Sequence, residues 1–202
     1  MPIDLILIAC ASLMAGFVDA IIGGGGLILL PALFSVFPSA PPATVFGTNK
    51  GGATWGTALA ALQYAKQVRL PWHALGPAVI AALVGSFSGA WAATQLDPSG
   101  LKKALPLLLT LVLAYTLIRK ELGQQHAPRW SGASEAAMAA LISLMLGFYD
   151  GIFGPGTGSF FVFLLVRIMG YDFLHASASA KILNTCTNAS ALLLFAWAGH
   201  VW

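Results

Sequence analysis

The chain has 202 residues, 58% of them hydrophobic and 8% charged, with a formal net charge of +3 and a mean hydropathy of +0.82. Soluble domains carry roughly a quarter charged residues, so the composition excludes a water-facing globular domain and points to an integral membrane protein. The ten cationic residues form no basic stripe interleaved with aromatics, which speaks against a nucleic-acid partner.

Apolar runs occupy positions of about 3–22, 26–37, 44–65, 72–94, 101–119, 135–153, 157–169 and 175–197. They predict an all-α, polytopic bundle, in which six runs approach the roughly 20 residues that a bilayer span requires. The first run has no Lys or Arg ahead of it, and Asp4 stands where a secretory signal would be positive, so a retained span is expected. The runs 26–37 and 157–169 are too short to cross alone at about 1.5 Å per residue. Each directly follows a glycine-rich break: "GFVDAIIGGGG" at 16–26 and "GFYDGIFGPGTG" at 147–158. Broken helices or helical hairpins are expected there. Cys10 and Cys186 lie in apolar segments and read as small hydrophobes. Arg167 reads as an interfacial anchor. His73, His126, His175 and His200 fall near loops or span ends without metal-ligand spacing, so no metal and no cofactor is expected.

Shifting the chain on itself by 131 positions pairs Ser12, Leu13, Met14, Gly16, Phe17, Asp19, Ile21, Gly23 and Gly25 with Ser143, Leu144, Met145, Gly147, Phe148, Asp150, Ile152, Gly154 and Gly156. The same shift pairs Lys50 with Lys181 and Thr54 with Thr185. This density argues for an internal repeat, with residues 1–131 as the first unit and 132–202 as the second. Lys66 and Arg69 follow the 44–65 run, whereas its partner 175–197 is followed only by His200. Arg119, Lys120 and Arg129 precede 135–153, whereas 3–22 is preceded by no cationic side chain. Opposite charged flanks imply opposite orientations, hence inverted repeats. The second unit stops where the equivalent of Pro71–Trp72 would begin, so its last two helices are expected to be missing.

Glycine in a helix interior costs about 1 kcal/mol relative to alanine, and irregular backbone at membrane depth is tolerated only inside protein or beside water. A broken helix exposes N–H groups and a positive dipole end that suit an anion. Lys50, in "VFGTNKGGATWG", and Lys181, in "ASASAKILNTCTNAS", lie within spans, where an ionisable group faces a cavity or a partner. The candidate substrate-binding residues are therefore Gly24, Gly25, Gly26, Thr48, Asn49 and Lys50 in one half. In the other they are Gly154, Gly156, Thr157, Gly158, Lys181 and Asn184. Asp19 and Asp150 are candidates for coupling, for capping the broken helices, or for pairing with the lysines.

These motifs, with "TNK" after the first and "AKILN" after the second, resemble the sulfite exporter TauE/SafE family of membrane transporters. The resemblance implies an inverted-repeat secondary transporter in a bacterial cytoplasmic membrane, carrying sulfite, sulfoacetate or related small anions. It points to Gly23–Gly26 with Lys50, and to Gly154–Gly158 with Lys181. The expected partners are a small anionic substrate and the lipid bilayer, with a second copy of the chain as a further candidate. An anion channel would use the same helix ends and lysines. An intramembrane aspartyl protease fits poorly, because "GPG" is followed by Thr157 and "GGG" by Gly26 rather than by Asp. The chain is expected not to be an enzyme.

Overall fold

The structure, a computed structural model, describes residues 2–118 and 126–202. Arg119 and Lys120, which contribute to the orientation argument, lie outside the described residues. The elements are α1 (Pro2–Ile22), α2 (Gly26–Val36), α3 (Pro42–Ala65), α4 (Trp72–Gln95), α5 (Pro98–Ile118), α6 (Gly132–Ile152), α7 (Thr157–Leu164) and α8 (Phe173–Trp197). A π-helical turn, Leu165–Met169, extends α7. The run 157–169 therefore does not stay α-helical: its last turn widens ahead of Gly170, which adopts φ +79° and ends it.

Local chemistry sets the boundaries. Pro42 and Pro98 open α3 and α5, where the missing N–H has no helical partner to lose. Asp172 caps α8, its Oδ1 accepting the N–H groups of Leu174 at 2.8 Å and His175 at 2.9 Å. Among the described residues three helices are long and apolar enough to cross a bilayer: Ile3–Ile21, Trp72–Gln95 and Gly132–Ile152. Of the six runs of near-spanning length, those that form α3 and α8 fall outside this set. In α3 and α8 the shortfall has a plain cause, since both spend interior positions on polar groups. Asn49, Lys50 and Thr57 are buried on α3, and Lys181, Asn184, Thr187 and Asn188 on α8. Large apolar side chains point outward instead, among them Leu13 and Phe17 on α1, Leu59 on α3, Ile80 on α4 and Leu193 on α8. The bundle is apolar outside and polar at its centre, as a bilayer demands.

Two packings position that centre. Helices α3 and α8 run antiparallel: Thr44 bonds to His200 at 3.2 Å, and Lys50 to Asn188 at 3.0 Å. Helices α4 and α6 run parallel, and their backbones touch through glycine. A Cβ on Gly85 would lie 2.3 Å from the Leu144 carbonyl oxygen, and one on Gly89 would lie 2.1 Å from that of Phe148. From the other side, Gly147 meets the Ala82 carbonyl and Gly151 that of Ser86. Two small-xxx-small stripes, 85–89 and 147–151, thus face each other, the arrangement that lets helices approach without a hydrophobic driving force.

Candidate functional site

The site is built where α1 and α6 stop. Gly23 takes φ +78° and donates its N–H to the Asp19 carbonyl at 2.9 Å, closing α1. Its backbone lies against that of Gly158, so a Cβ on either would come within 2.7 Å of the other's Cα. Gly26 meets Pro155 in the same way, at 3.4 Å. The two glycine breaks are therefore in contact with one another; glycine is required at 23 for both conformation and approach, and at 158 for the approach.

Around this contact the charges pair crosswise. Lys50, on α3, places its Nζ 2.7 Å from Asp150 Oδ2 on α6, with both side chains 1% exposed. The same ammonium donates to Asn188 Oδ1 at 3.0 Å and sits directly against Gly154, where a Cβ would stand 2.8 Å away. Lys181, on α8, donates to the backbone carbonyl of Asp19 on α1 and lies 3.7 Å from Asp19 Oδ2. Asp19 Oδ1 accepts the Gly25 N–H at 3.2 Å, so that carboxylate braces the start of α2 as well.

The other predicted residues divide. Asn49 reaches the site, its amide nitrogen standing 3.7 Å from where a Gly26 Cβ would be. Asn184 is buried one turn from Lys181 and accepts from Asn188 at 3.5 Å. Thr157 is buried but turns its hydroxyl onto the Gly154 carbonyl at 2.9 Å, and Gly156 faces Val112 of α5. Gly24 meets only Leu27 and Val18. Thr48 looks away from the centre and accepts the N–H of Trp202 at 3.2 Å.

A cavity of about 200 Å³ opens beside Asp19. Gly16, Gly25, Gly26, Asn49, Gly52 and Gly56 line it together with Ser12 and a few apolar residues, and Asp19 is the charged side chain on its wall. The linear sequence does not single out Asn188 as the partner of Lys50, nor Gly52 and Gly56 as cavity wall. The histidines add one grouping. His126 and His175, far apart in sequence, converge on Asp172, and the three residues bring ligand atoms within 4.8 Å of one another. Linear spacing could not show it, because the loop ahead of α6 folds back onto the turn before α8.

An apolar shell around buried ion pairs and interrupted helices defines a polytopic membrane protein with a polar interior. The chain matches the description "Sulfite exporter TauE/SafE" over residues 8–202 and belongs to that family of multi-pass membrane transporters. It is 36% identical over 200 residues to a "Probable membrane transporter protein" of Haemophilus influenzae, covering 98% of this chain and 77% of that one. With "Probable membrane transporter protein ORF9" of Sinorhizobium sp it shares 35% over 193 residues, 95% of this chain and 72% of the relative. "Probable membrane transporter protein YfcA" of Escherichia coli K12 is 35% identical over 202 residues, 99% of this chain and 73% of the relative. No solved structure matches the chain at a significant level. It is a membrane transporter and not an enzyme.

Proposed function

We propose that the protein is a secondary transporter for small anions, sulfite, sulfoacetate or related sulfur-containing organic anions, built from two inverted repeats that share one site. The observation that carries this reading is the crosswise pairing. Lys50 of the first unit holds Asp150 of the second, while Lys181 of the second holds Asp19 of the first. An inverted repeat predicts such an exchange, and the antiparallel α3 and α8, each bearing its lysine, agree with it. Interrupted helices in corresponding positions are the expected setting of a midplane substrate site.

The lysines are the anion's point-charge partners, with amides of Asn49 and Asn184 as donors beside them. The carboxylates occupy the ammonium groups, so an incoming anion competes with an internal one. Asp19 is the easier to displace, since its contact with Lys181 is longer and it already borders the cavity. Binding is then tied to movement: releasing a carboxylate frees the start of α2, and the two halves can re-pack about the Gly23–Gly158 contact.

The test is uptake or efflux of sulfite and sulfoacetate in proteoliposomes, comparing the native chain with Lys50→Ala and Lys181→Ala. The expected result is saturable flux, reduced at least tenfold in each variant. Undiminished flux in both variants would sink the assignment, and currents far above carrier turnover would make the protein a channel.

A further inference from the structure

We propose that His126, Asp172 and His175 form a binding site for a divalent transition-metal ion that ties the segment before α6 to the start of α8. His126 Nδ1 lies 3.1 Å from Asp172 Oδ2, and His175 Nδ1 lies 2.5 Å from the same oxygen. Around a metal bound at about 2.0–2.1 Å, neighbouring ligand atoms are separated by roughly 2.9–3.4 Å. The cluster needs only small shifts to admit one.

Three features go beyond proximity. The carboxylate is divided between two tasks: Oδ1 is committed to the cap of α8 through Leu174 and His175, which fixes the group and leaves Oδ2 directed at the imidazoles. Ligand carboxylates held by outer hydrogen bonds are the usual build of a metal site. Next, both rings turn Nδ1 toward that one oxygen, and the His126 Nδ1 lone pair accepts the Asp172 N–H at 3.3 Å, a long bond that a metal would replace. Lastly, the two segments are pinned by backbone. The Ala127 N–H bonds to the Gly170 carbonyl and the Arg129 N–H to that of Met169, both at 2.9 Å, while Tyr171 stacks on the His126 ring.

Two imidazoles and one carboxylate suit zinc, nickel or cobalt rather than calcium or magnesium, which prefer all-oxygen shells. The site sits at the start of the helix that carries Lys181, apart from the ion pairs, and does not depend on which anion is carried.

Cobalt(II) is the probe, titrated into the full chain in detergent after removal of any polyhistidine tag and followed by its visible absorption bands. One equivalent should bind per chain. His126→Gln, His175→Gln and Asp172→Asn should each weaken binding at least tenfold. Asp172→Asn keeps a residue that caps helices well, so its loss of cobalt is not a loss of fold, and its metal-free melting temperature checks this. His73→Gln, which alters the neighbouring contact with Glu135, should leave binding unchanged. Absence of a cobalt spectrum, or one that persists in Asp172→Asn, would overturn the proposal.

Discussion

The two halves carry the same motif in different surroundings. In the second half, α6 is clamped against α4 through Gly147 and Gly151, and Asp150 is sealed with Lys50 at 2.7 Å. In the first, a Cβ on the equivalent Gly16 would have no neighbour within 4 Å, and Asp19 stands beside a cavity with its lysine at 3.7 Å. One copy of the motif is a closed joint and the other an open one. The lesson is that a repeated sequence specifies a chemistry twice while packing decides which copy is accessible.

The strongest way to break this contrast is to neutralise each acid in turn. Asp150→Asn should cost about 3–5 kcal/mol, because it leaves Lys50 charged and fully buried without its partner. Asp19→Asn should cost only about 0.5–2 kcal/mol, the range for disturbing a helix start, since Lys181 keeps its bond to the Asp19 backbone carbonyl and its contact with the carboxylate is the longer one. Thermal unfolding of both variants in detergent measures the pair, and equal losses would erase the distinction between joints.

A second comparison uses the equivalent glycines. Gly147→Ala drives a methyl to 2.7 Å from the Ala82 carbonyl oxygen, and overpacking of this kind costs about 1–3 kcal/mol. Gly16→Ala meets open space and should change stability by less than about 0.5 kcal/mol. The same melting experiment ranks them, and a larger loss at Gly16 would mean that α1 is packed more closely than described.

The smallest effect supplies a baseline in pH. Asp97, in the loop before α5, accepts from the Ser99 hydroxyl and from the Gly100 N–H at 3.0 Å, and these bonds hold its carboxyl below its usual value of 3.8. The folded chain then binds its proton less readily than the unfolded one. Its stabilisation is complete above the unfolded value and disappears as pH falls through the lower folded one. In Asp97→Ala the fall in melting temperature below pH 4 should be slightly shallower than in the native chain, a slope that separates this exposed cap from any acid response of the buried pairs.

Much of the site was legible because charge and glycine inside an apolar run are conspicuous. Asp19, Lys50, Asp150 and Lys181 stand out on cost alone. Their crosswise pairing does not, because periodicity within a helix carries no information about which distant helix lies opposite. Thr48 joins Lys50 only by nearness in sequence. Two positions on a helix are about 200° apart, and Thr48 accordingly faces Trp202 instead. The stripe Gly85–Gly89 is silent in the sequence for a related reason: small residues read alike whether a neighbouring backbone touches them or not. The fold class follows from composition, whereas run length alone does not show how polar α3 and α8 are, because buried lysine, asparagine and threonine lower the hydropathy of the very helices that hold the centre together.

The crosswise pairing also orders events during synthesis. Lys50 leaves the ribosome long before Asp150 exists, so α3 must enter or wait at the membrane with a charge that costs at least about 2.5–3.5 kcal/mol to insert alone. Lys181 has no such delay, because Asp19 is already made when α8 emerges. The nascent first half thus carries a lysine whose ion-pair partner arrives only with α6, so that synthesis of the second half completes the first.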